Sequence, residues 1–343
     1  MMIDFLSSFC QPARAPERAG MAFSFNLPKI AGHGEDADPV LHVTTDGTAI
    51  LGVFDGLGGS GSLRFDGIDG VRSSAYYGSR VVRDASDEVL RPMTTFRDAT
   101  PGAVAAALGE HLDAALHTYH ETWRSTGPSA LRSTLFRSLP TTAAIAIARA
   151  IENTAQIMVL WAGDSRCYAL TPAEGLQQLT TDHLRTPQDA LTNLTQDAPI
   201  ANCISADAPT TIDGDEIRLP TPVVLIAATD GCFGYLDSPM HFEALLLDTM
   251  LSATTPQSWS KALQERISAV AGDDASLAVA ALGWRSHRAM RRDFRDRLTH
   301  LHARYLAPLA GAADHDRARA ELWTTYASQY EAHLRREGPP WTT

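Results

Sequence analysis

Cysteine is scarce in this chain, and what there is has no usable arrangement. Cys10, Cys167, Cys203 and Cys232 are the four among 343 residues. None stands in a C-x-x-C pair, which excludes a zinc knuckle and a disulfide framework. Scattered free thiols fit a reducing, cytoplasmic setting. No run of about 18 uncharged apolar residues occurs. The start, MMIDFLSSFCQPARAPERAG, has an acid at Asp4 and too short an apolar stretch for a signal peptide. Neither export nor a membrane-spanning segment is expected. An excess of basic charge is missing too: 29 Lys and Arg against 40 Asp and Glu leave a formal net charge of -11. Such a chain repels phosphate overall and can bind nucleic acid only through a local patch, so metal cations or basic partners are the better expectation. No internal repeat is visible.

What is present is a globular composition, 44% hydrophobic, enough for one large domain or two small ones. Pro12, Pro16 and Gly20 break any periodicity in residues 1–20, which reads as a flexible leader, with folding starting near Met21. The segments LHVTT and AILGVFD flank the turn residues Asp46 and Gly47 and predict a β-hairpin. Apolar residues then recur at three- and four-residue intervals over Ile68–Leu90 and Thr100–Trp123, predicting two helices, the second capped by Thr100 with Pro101 behind it. TTAAIAIA, AQIMVLWAGDSRCYAL and PVVLIAATDG read as strands, with a long polar loop before the last. A helix is predicted from Pro256 to about Val270, then a turn and a strand in GDDASLAVAAL. Strands and helices come in groups, which favours α+β over a doubly wound parallel sheet. After Gly283 two amphipathic helices follow, with Met290, Phe294, Leu298 and Leu301 along one face and Leu322, Tyr326, Tyr330 and Leu334 along the other. They predict an appended helical hairpin, residues 284–343. The six arginines from Arg285 to Arg297 read as a solvated helix face.

The stretch LGVFDGLGGSG matches the glycine spacing of a dinucleotide-binding turn, but Asp55 stands where a pyrophosphate would approach. The second strand such a site needs is replaced by the helix-like GVRSSAYYGSRVVRD. A phosphate-cradling Walker loop is excluded, because Ser62 and no lysine follows Gly61. The informative pattern is wider. Asp55 in VFDG, Asp164 in WAGDS, Asp230 in AATDG and Asp273 in AGDDAS each sit at the edge of an apolar run beside glycine, and Glu35 and Asp36 form an acidic pair upstream. Any one is an ordinary turn residue. Carboxylates at the ends of neighbouring strands converge, however, and cannot crowd one cleft unless cations neutralise them. Oxygen ligands without histidine or cysteine point to Mg²⁺ or Mn²⁺.

In their order, GEDAD, GVFDGLGG, LPTTAAIAIA, WAGDSRCYAL, LTTDH, AATDGCFGYL and GDDASLAVAAL resemble the motifs of the metal-dependent serine/threonine phosphatases of the protein phosphatase 2C type, bacterial members included. The resemblance implies an αββα sandwich, two antiparallel sheets flanked by helices, over residues 21–283. It implies two Mn²⁺ or Mg²⁺ ions, with a third, weaker one, and hydrolysis of phosphoserine or phosphothreonine on proteins by a metal-activated water. The partner would be a phosphorylated protein, the target of a serine/threonine kinase or the kinase itself. Carried over, Asp55 would bridge the two metals, the Gly56 carbonyl and Glu35 would serve one, and Asp230 and Asp273 the other. Asp164 would serve the third and Asp36 a supporting role, with Asp55 and Asp230 central to catalysis. Asp182 and His183 would begin a flap running to about Thr211.

Two positions depart from the pattern. Leu57 replaces a histidine of animal members, and Ala31 replaces a phosphate-binding arginine. A charge-assisted contact of that kind is worth roughly 1.5–3 kcal/mol. His33 and Lys29 are the nearest candidates to supply it. A pseudophosphatase, a binding or regulatory module on the same fold, is the alternative function.

Overall fold

A computed structural model of the chain describes residues 21–58, 63–93, 99–123, 137–186, 188–195 and 199–334. The expected leader, and Gly59 and Gly61 of the glycine-rich loop, lie outside the described residues. In chain order the elements are β1 (Ala22–Leu27), β2 (Val40–Val43), β3 (Ala49–Val53), β4 (Arg64–Gly67), β5 (Gly70–Ser73), α1 (Ser74–Leu90), α2 (Pro101–Thr122), β6 (Ala143–Ile151), β7 (Thr154–Ala162), β8 (Arg166–Thr171) and β9 (Gly175–Gln178). Then come α3 (Ala190–Thr195), β10 (Asp213–Pro220), β11 (Val223–Ala228), α4 (Pro239–Ser252), α5 (Pro256–Ser268), β12 (Ala275–Leu282), α6 (His287–Asp293), α7 (Arg295–Leu301), α8 (Ala307–Ala310) and α9 (His315–Tyr330).

Two five-stranded antiparallel sheets form, in the orders β1-β12-β11-β8-β9 and β10-β7-β6-β3-β2, and β4-β5 makes a separate ribbon. Alternation along the strands explains how they stack. In β6, Ala144, Ala146 and Ala148 join Leu51, Leu225, Ala278 and Ala280 in an apolar layer drawn from both sheets. Ile145 and Ile147, pointing the other way, pack with Tyr77 and Val82 of α1 and Leu108 and Leu112 of α2. Val224, Ile226, Leu277 and Val279 do the same for the first sheet, against α4 and α5. Strands buried on both faces read as continuous apolar runs, which is why AAIAIA shows no polar alternation. Small alanines on the inner face let the sheets approach. The result is the expected αββα sandwich.

Several boundaries differ from expectation. The helix predicted from Ile68 begins only at Ser74, because Gly70 takes φ +79° to close the β4-β5 hairpin and the Ser73 hydroxyl caps the Tyr76 N–H at 3.1 Å. β1, β9, β10 and α4 carried no usable signal. In α4, apolar residues run round the whole helix, and most of its side chains are buried, so no stripe is visible.

The C-terminal helices are not peripheral. Met290, Phe294, Leu301, Tyr305, Trp323, Tyr326 and Tyr330 belong to the same apolar cluster as β8, β11 and α4. Inside it Arg297 reaches Glu243 of α4 through two bonds of 2.6 and 2.8 Å, and the Tyr326 hydroxyl donates to the same carboxylate at 2.5 Å. Arg297 is thus an exception to the solvated arginine face, and Arg291 is another, donating to the Leu251 carbonyl. Arg292, paired with adjacent Asp293, fits the expectation. Removing one member of a buried pair strands the other charge, at a cost of about 3–5 kcal/mol. Arg297→Ala is expected to lower the unfolding free energy by about that amount, whereas exposed Arg292→Ala should change it by less than about 1 kcal/mol. Urea denaturation checks both. A chain ending at Gly283 would expose the Glu243 carboxylate and the outer face of the first sheet, and should show no cooperative unfolding transition.

Candidate active site

β3 runs straight into Asp55, and the chain there is clamped before any side chain is considered. The Asp55 carbonyl accepts from the Thr142 N–H at 2.9 Å and from the Thr141 hydroxyl at 2.6 Å, tying it to the start of β6. The Gly56 carbonyl accepts from the Gly58 N–H at 2.8 Å, a tight turn. A Cβ on Gly56 would lie 2.6 Å from the Glu35 carbonyl oxygen and 2.9 Å from that of Ala75, so only glycine lets the loop pass these backbones. Beside it Leu139 adopts φ +56°, a conformation costing a non-glycine residue roughly 1–2 kcal/mol. Its N–H donates to Ser74 Oγ at 2.6 Å, joining the strand end to the start of α1.

Four aspartates meet at this edge of the sandwich. Asp36 is buried, and Asp55, Asp164 and Asp230 are half-buried. The pKa of Asp55 is driven well above the ordinary value by burial, then by the charges of Asp36, Asp230 and Asp164. Asp36 rises to about 7, from burial foremost and then Asp230 and Asp274, although the Thr229 hydroxyl donating at 2.9 Å opposes this. Asp164 rises to about 8, through burial, then Asp230 and Asp182. Asp230 opens the turn after β11, where its carbonyl accepts from the Phe233 N–H at 3.0 Å. Of the strand-end carboxylates expected to converge, Asp55, Asp164 and Asp230 come together with Asp36, and Asp273 does not join them.

Glu35 flanks this quartet, half-buried. Its pKa is raised by burial, with Asp274 and Asp273 adding and a hydrogen bond from Ser73 opposing. Asp273 is exposed, and its charge is not among the leading causes at Asp36, Asp55 or Asp164. The neighbouring acid, Asp274, was not singled out from the sequence. It is buried and accepts from the Lys29 N–H at 2.7 Å and the Glu35 N–H at 2.5 Å, stapling the 29–35 segment to the turn before β12. A second consecutive acid in AGDDAS was the only available signal. Asp182 forms a buried ion pair with Arg166 at 2.6 Å, and His183 is buried beside Gly163, whose N–H donates to its Nδ1 at 3.2 Å. Both fit the structural role expected at the base of the flap, and His183 fixes the turn that carries Asp164.

The two cations expected to replace the missing arginine differ in placement. The Lys29 ammonium is committed to the Ala271 carbonyl. His33 lines a cavity of about 440 Å³ with Glu35, Leu63, Arg64, Arg72, Ser73 and Tyr76. Arg64 and Arg72 stand on the β4-β5 ribbon, whose short strands carry no apolar run, and the helical spacing from Ile68 onward masks the second of them.

Among the described residues no three His, Cys, Asp or Glu side chains are spaced to hold a metal ion as they stand. The donor chemistry nevertheless fits a hard cation. Asp36 Oδ1 and Asp164 Oδ1 are buried without hydrogen-bond partners. An orphaned, desolvated carboxylate oxygen is costly, and a divalent ion would satisfy it and offset the repulsion within the quartet.

Comparison with known proteins gives the family and the fold. Residues 35–268 match the family model described as protein phosphatase 2C, and the chain belongs to that family. Similar solved structures include the serine/threonine phosphatase Stp1 from Staphylococcus aureus, with TM-score 0.54, 17% identity, and coverage of 80% of this chain and 100% of that one. The serine/threonine phosphatase PstP/Ppp of Mycobacterium tuberculosis gives TM-score 0.51 at 15% identity, covering 77% and 98%. A bacterial serine phosphatase gives 0.54 at 15%, also covering 77% and 98%. At these identities the likeness shows the fold. No curated protein matches the chain. No described helix is long and apolar enough to cross a membrane.

The raised carboxyls make stability depend on pH. With folded values of about 7 and 8 against an ordinary 3.8, Asp36 and Asp164 hold protons that the unfolded chain has released. Their contribution is full below pH 3.8 and is lost as pH rises through 7 and 8. The melting temperature of metal-free protein should therefore fall between about pH 5.5 and pH 8.5, and Mn²⁺ should flatten that fall by taking the place of the protons. Scanning calorimetry with chelator and with Mn²⁺ checks the sign.

Proposed function

We propose that the chain hydrolyses phosphoserine and phosphothreonine monoesters on proteins in a Mn²⁺- or Mg²⁺-dependent reaction. The observation that carries this reading is the set of converging buried and half-buried carboxylates, two with orphaned buried oxygens, beside a cavity lined by Arg64 and Arg72. Asp55, Glu35 and the Gly56 carbonyl would hold one ion, and Asp55, Asp230 and Asp273 the other. Asp164 would hold a third, and Asp36 would support the site. When bound, the ions would acidify a water for attack on phosphorus and offset charge developing on the phosphoryl oxygens.

The chain's own contribution is placement. Thr141 and Thr142 hold the Asp55 backbone, Thr229 orients the Asp36 carboxyl, and Asp274 fixes the Glu35 backbone, so little reorganisation is left for the reaction. Residues 21–283 form the catalytic domain in this reading. The 284–343 extension stabilises it from behind the first sheet and contributes no ligand. The substrate is a phosphorylated protein, the product of a serine/threonine kinase or the kinase itself, met in the cytoplasm.

Asp55→Asn keeps side-chain size but removes a charge and the ability to bridge two cations. Turnover of an aryl phosphate with Mn²⁺ should fall at least about a thousandfold, near 4 kcal/mol of transition-state stabilisation. Calorimetric titration should show fewer or weaker Mn²⁺ sites, with the circular dichroism spectrum preserved. Equal Mn²⁺ affinity and turnover in the variant would overturn the reading. Absence of any Mn²⁺-dependent turnover by the unmodified chain would favour a pseudophosphatase.

A further inference from the structure

The cavity beside Glu35 is a basic spot next to the acidic quartet, in a chain whose net charge is -11. Arg64, Arg72 and His33 line it, against one carboxylate, Glu35. Since Glu35 belongs both to this wall and to the acidic site, an anion held here would lie directly beside the proposed metal ligands. That matters because the family's phosphate-binding arginine is replaced by Ala31.

The nearby cations are not equivalent. Lys29 spends its ammonium on the Ala271 carbonyl. Arg80 is stacked on the Tyr76 ring, its Cζ 3.5 Å from the centroid, and donates to the carbonyls of Gly34, Glu35 and Tyr76. It braces the loop. Arg72 differs: its Nη1 donates to the Gly32 carbonyl at 2.9 Å, next in sequence to Ala31, and its Cζ lies 5.4 Å from the same ring. The first contact anchors the guanidinium beside the vacated position, and the second limits its swing. A guanidinium carries several N–H donors in a planar fork, so one bond to a carbonyl leaves others to meet phosphate oxygens.

We propose that Arg72, reaching over from the β4-β5 ribbon, grips the substrate phosphate in place of the arginine lost at position 31, with Arg64 and His33 completing a basic wall. The inference rests on the phosphatase reading for the identity of the ester, but the anion site itself does not. The ligand is the phosphomonoester dianion, and inorganic phosphate is the probe. The ribbon thereby acquires a function: it brings in from β5 a charge that the 29–35 segment lacks.

Two measurements on the full chain test this. With Mn²⁺ and an aryl phosphate, Arg72→Ala should raise KM about ten- to a hundredfold while kcat changes less than about threefold, since a contact made equally in ground and transition states is uniform binding. The inhibition constant of inorganic phosphate should rise in parallel. Arg72→Lys should recover part of the loss. Ala31→Arg should do little in the native background but restore KM in Arg72→Ala. Arg218→Ala, removing an exposed charge on β10, controls for net charge. Separately, ³¹P NMR titration of Mg²⁺-loaded protein reads phosphate binding without turnover, and thermal melts show that each variant is folded. If the unmodified chain binds phosphate through Arg72 but does not hydrolyse the ester, the hydrolase reading falls and the anion site stands. Unchanged KM and phosphate affinity in folded Arg72→Ala, or no phosphate binding by the unmodified chain, overturns the proposal.

Discussion

Mutual repulsion among Asp36, Asp55, Asp164 and Asp230, crowded and partly withdrawn from water at one edge of the sandwich, is the constraint around which the rest is arranged. Each carboxyl is delivered by a different strand end or loop, so none can retreat without moving a strand. Buried like charges raise one another's proton affinity, and the fold holds them together by fixing their backbones through Thr141, Thr142, Thr229 and Asp274. A site under this tension is relieved by added positive charge, whether protons on the carboxyls or a cation among them.

Such a site needs a rigid frame, and the C-terminal helices are part of it. The Arg297–Glu243–Tyr326 cluster locks α7 and α9 onto α4, while Tyr330 packs on Tyr168 of β8, whose first residue Arg166 holds Asp182 at the base of the flap. Packing thus links the extension to the segment bordering the site without lending it a ligand. The basic cavity on the opposite flank is built from the β4-β5 ribbon and the 29–35 segment, so acid and base lie on either side of Glu35.

Much of this was legible in the chain. Continuous apolar runs of strand length, glycines beside the acids that end them, and Thr100 followed by Pro101 are local signals with local causes, and each marks an element that the structure contains. β10 and α4 were not legible for a physical reason. An edge strand with polar residues such as Asp213, Asp215 and Glu216 lacks the apolar run, and a helix buried nearly all round lacks the stripe. The β4-β5 ribbon was hidden because its turn depends on Gly70 at positive φ, a conformation that periodicity does not report.

By itself the sequence determined the grouping of strands and helices that marks an α+β chain, and it singled out Asp55, Asp164 and Asp230 as acids beside apolar runs, with Asp36 upstream. These follow from the spacing of apolar residues and from which residues end each run. Only the tertiary structure decided that Asp274, and not its neighbour, staples the Glu35 loop, that the extension belongs to the core, and that Arg72 stands beside the place where Ala31 left no charge. Those outcomes depend on contacts between segments far apart in the chain. Which of two adjacent residues turns inward, or which distant cation reaches a carbonyl, is set by packing that no local pattern encodes.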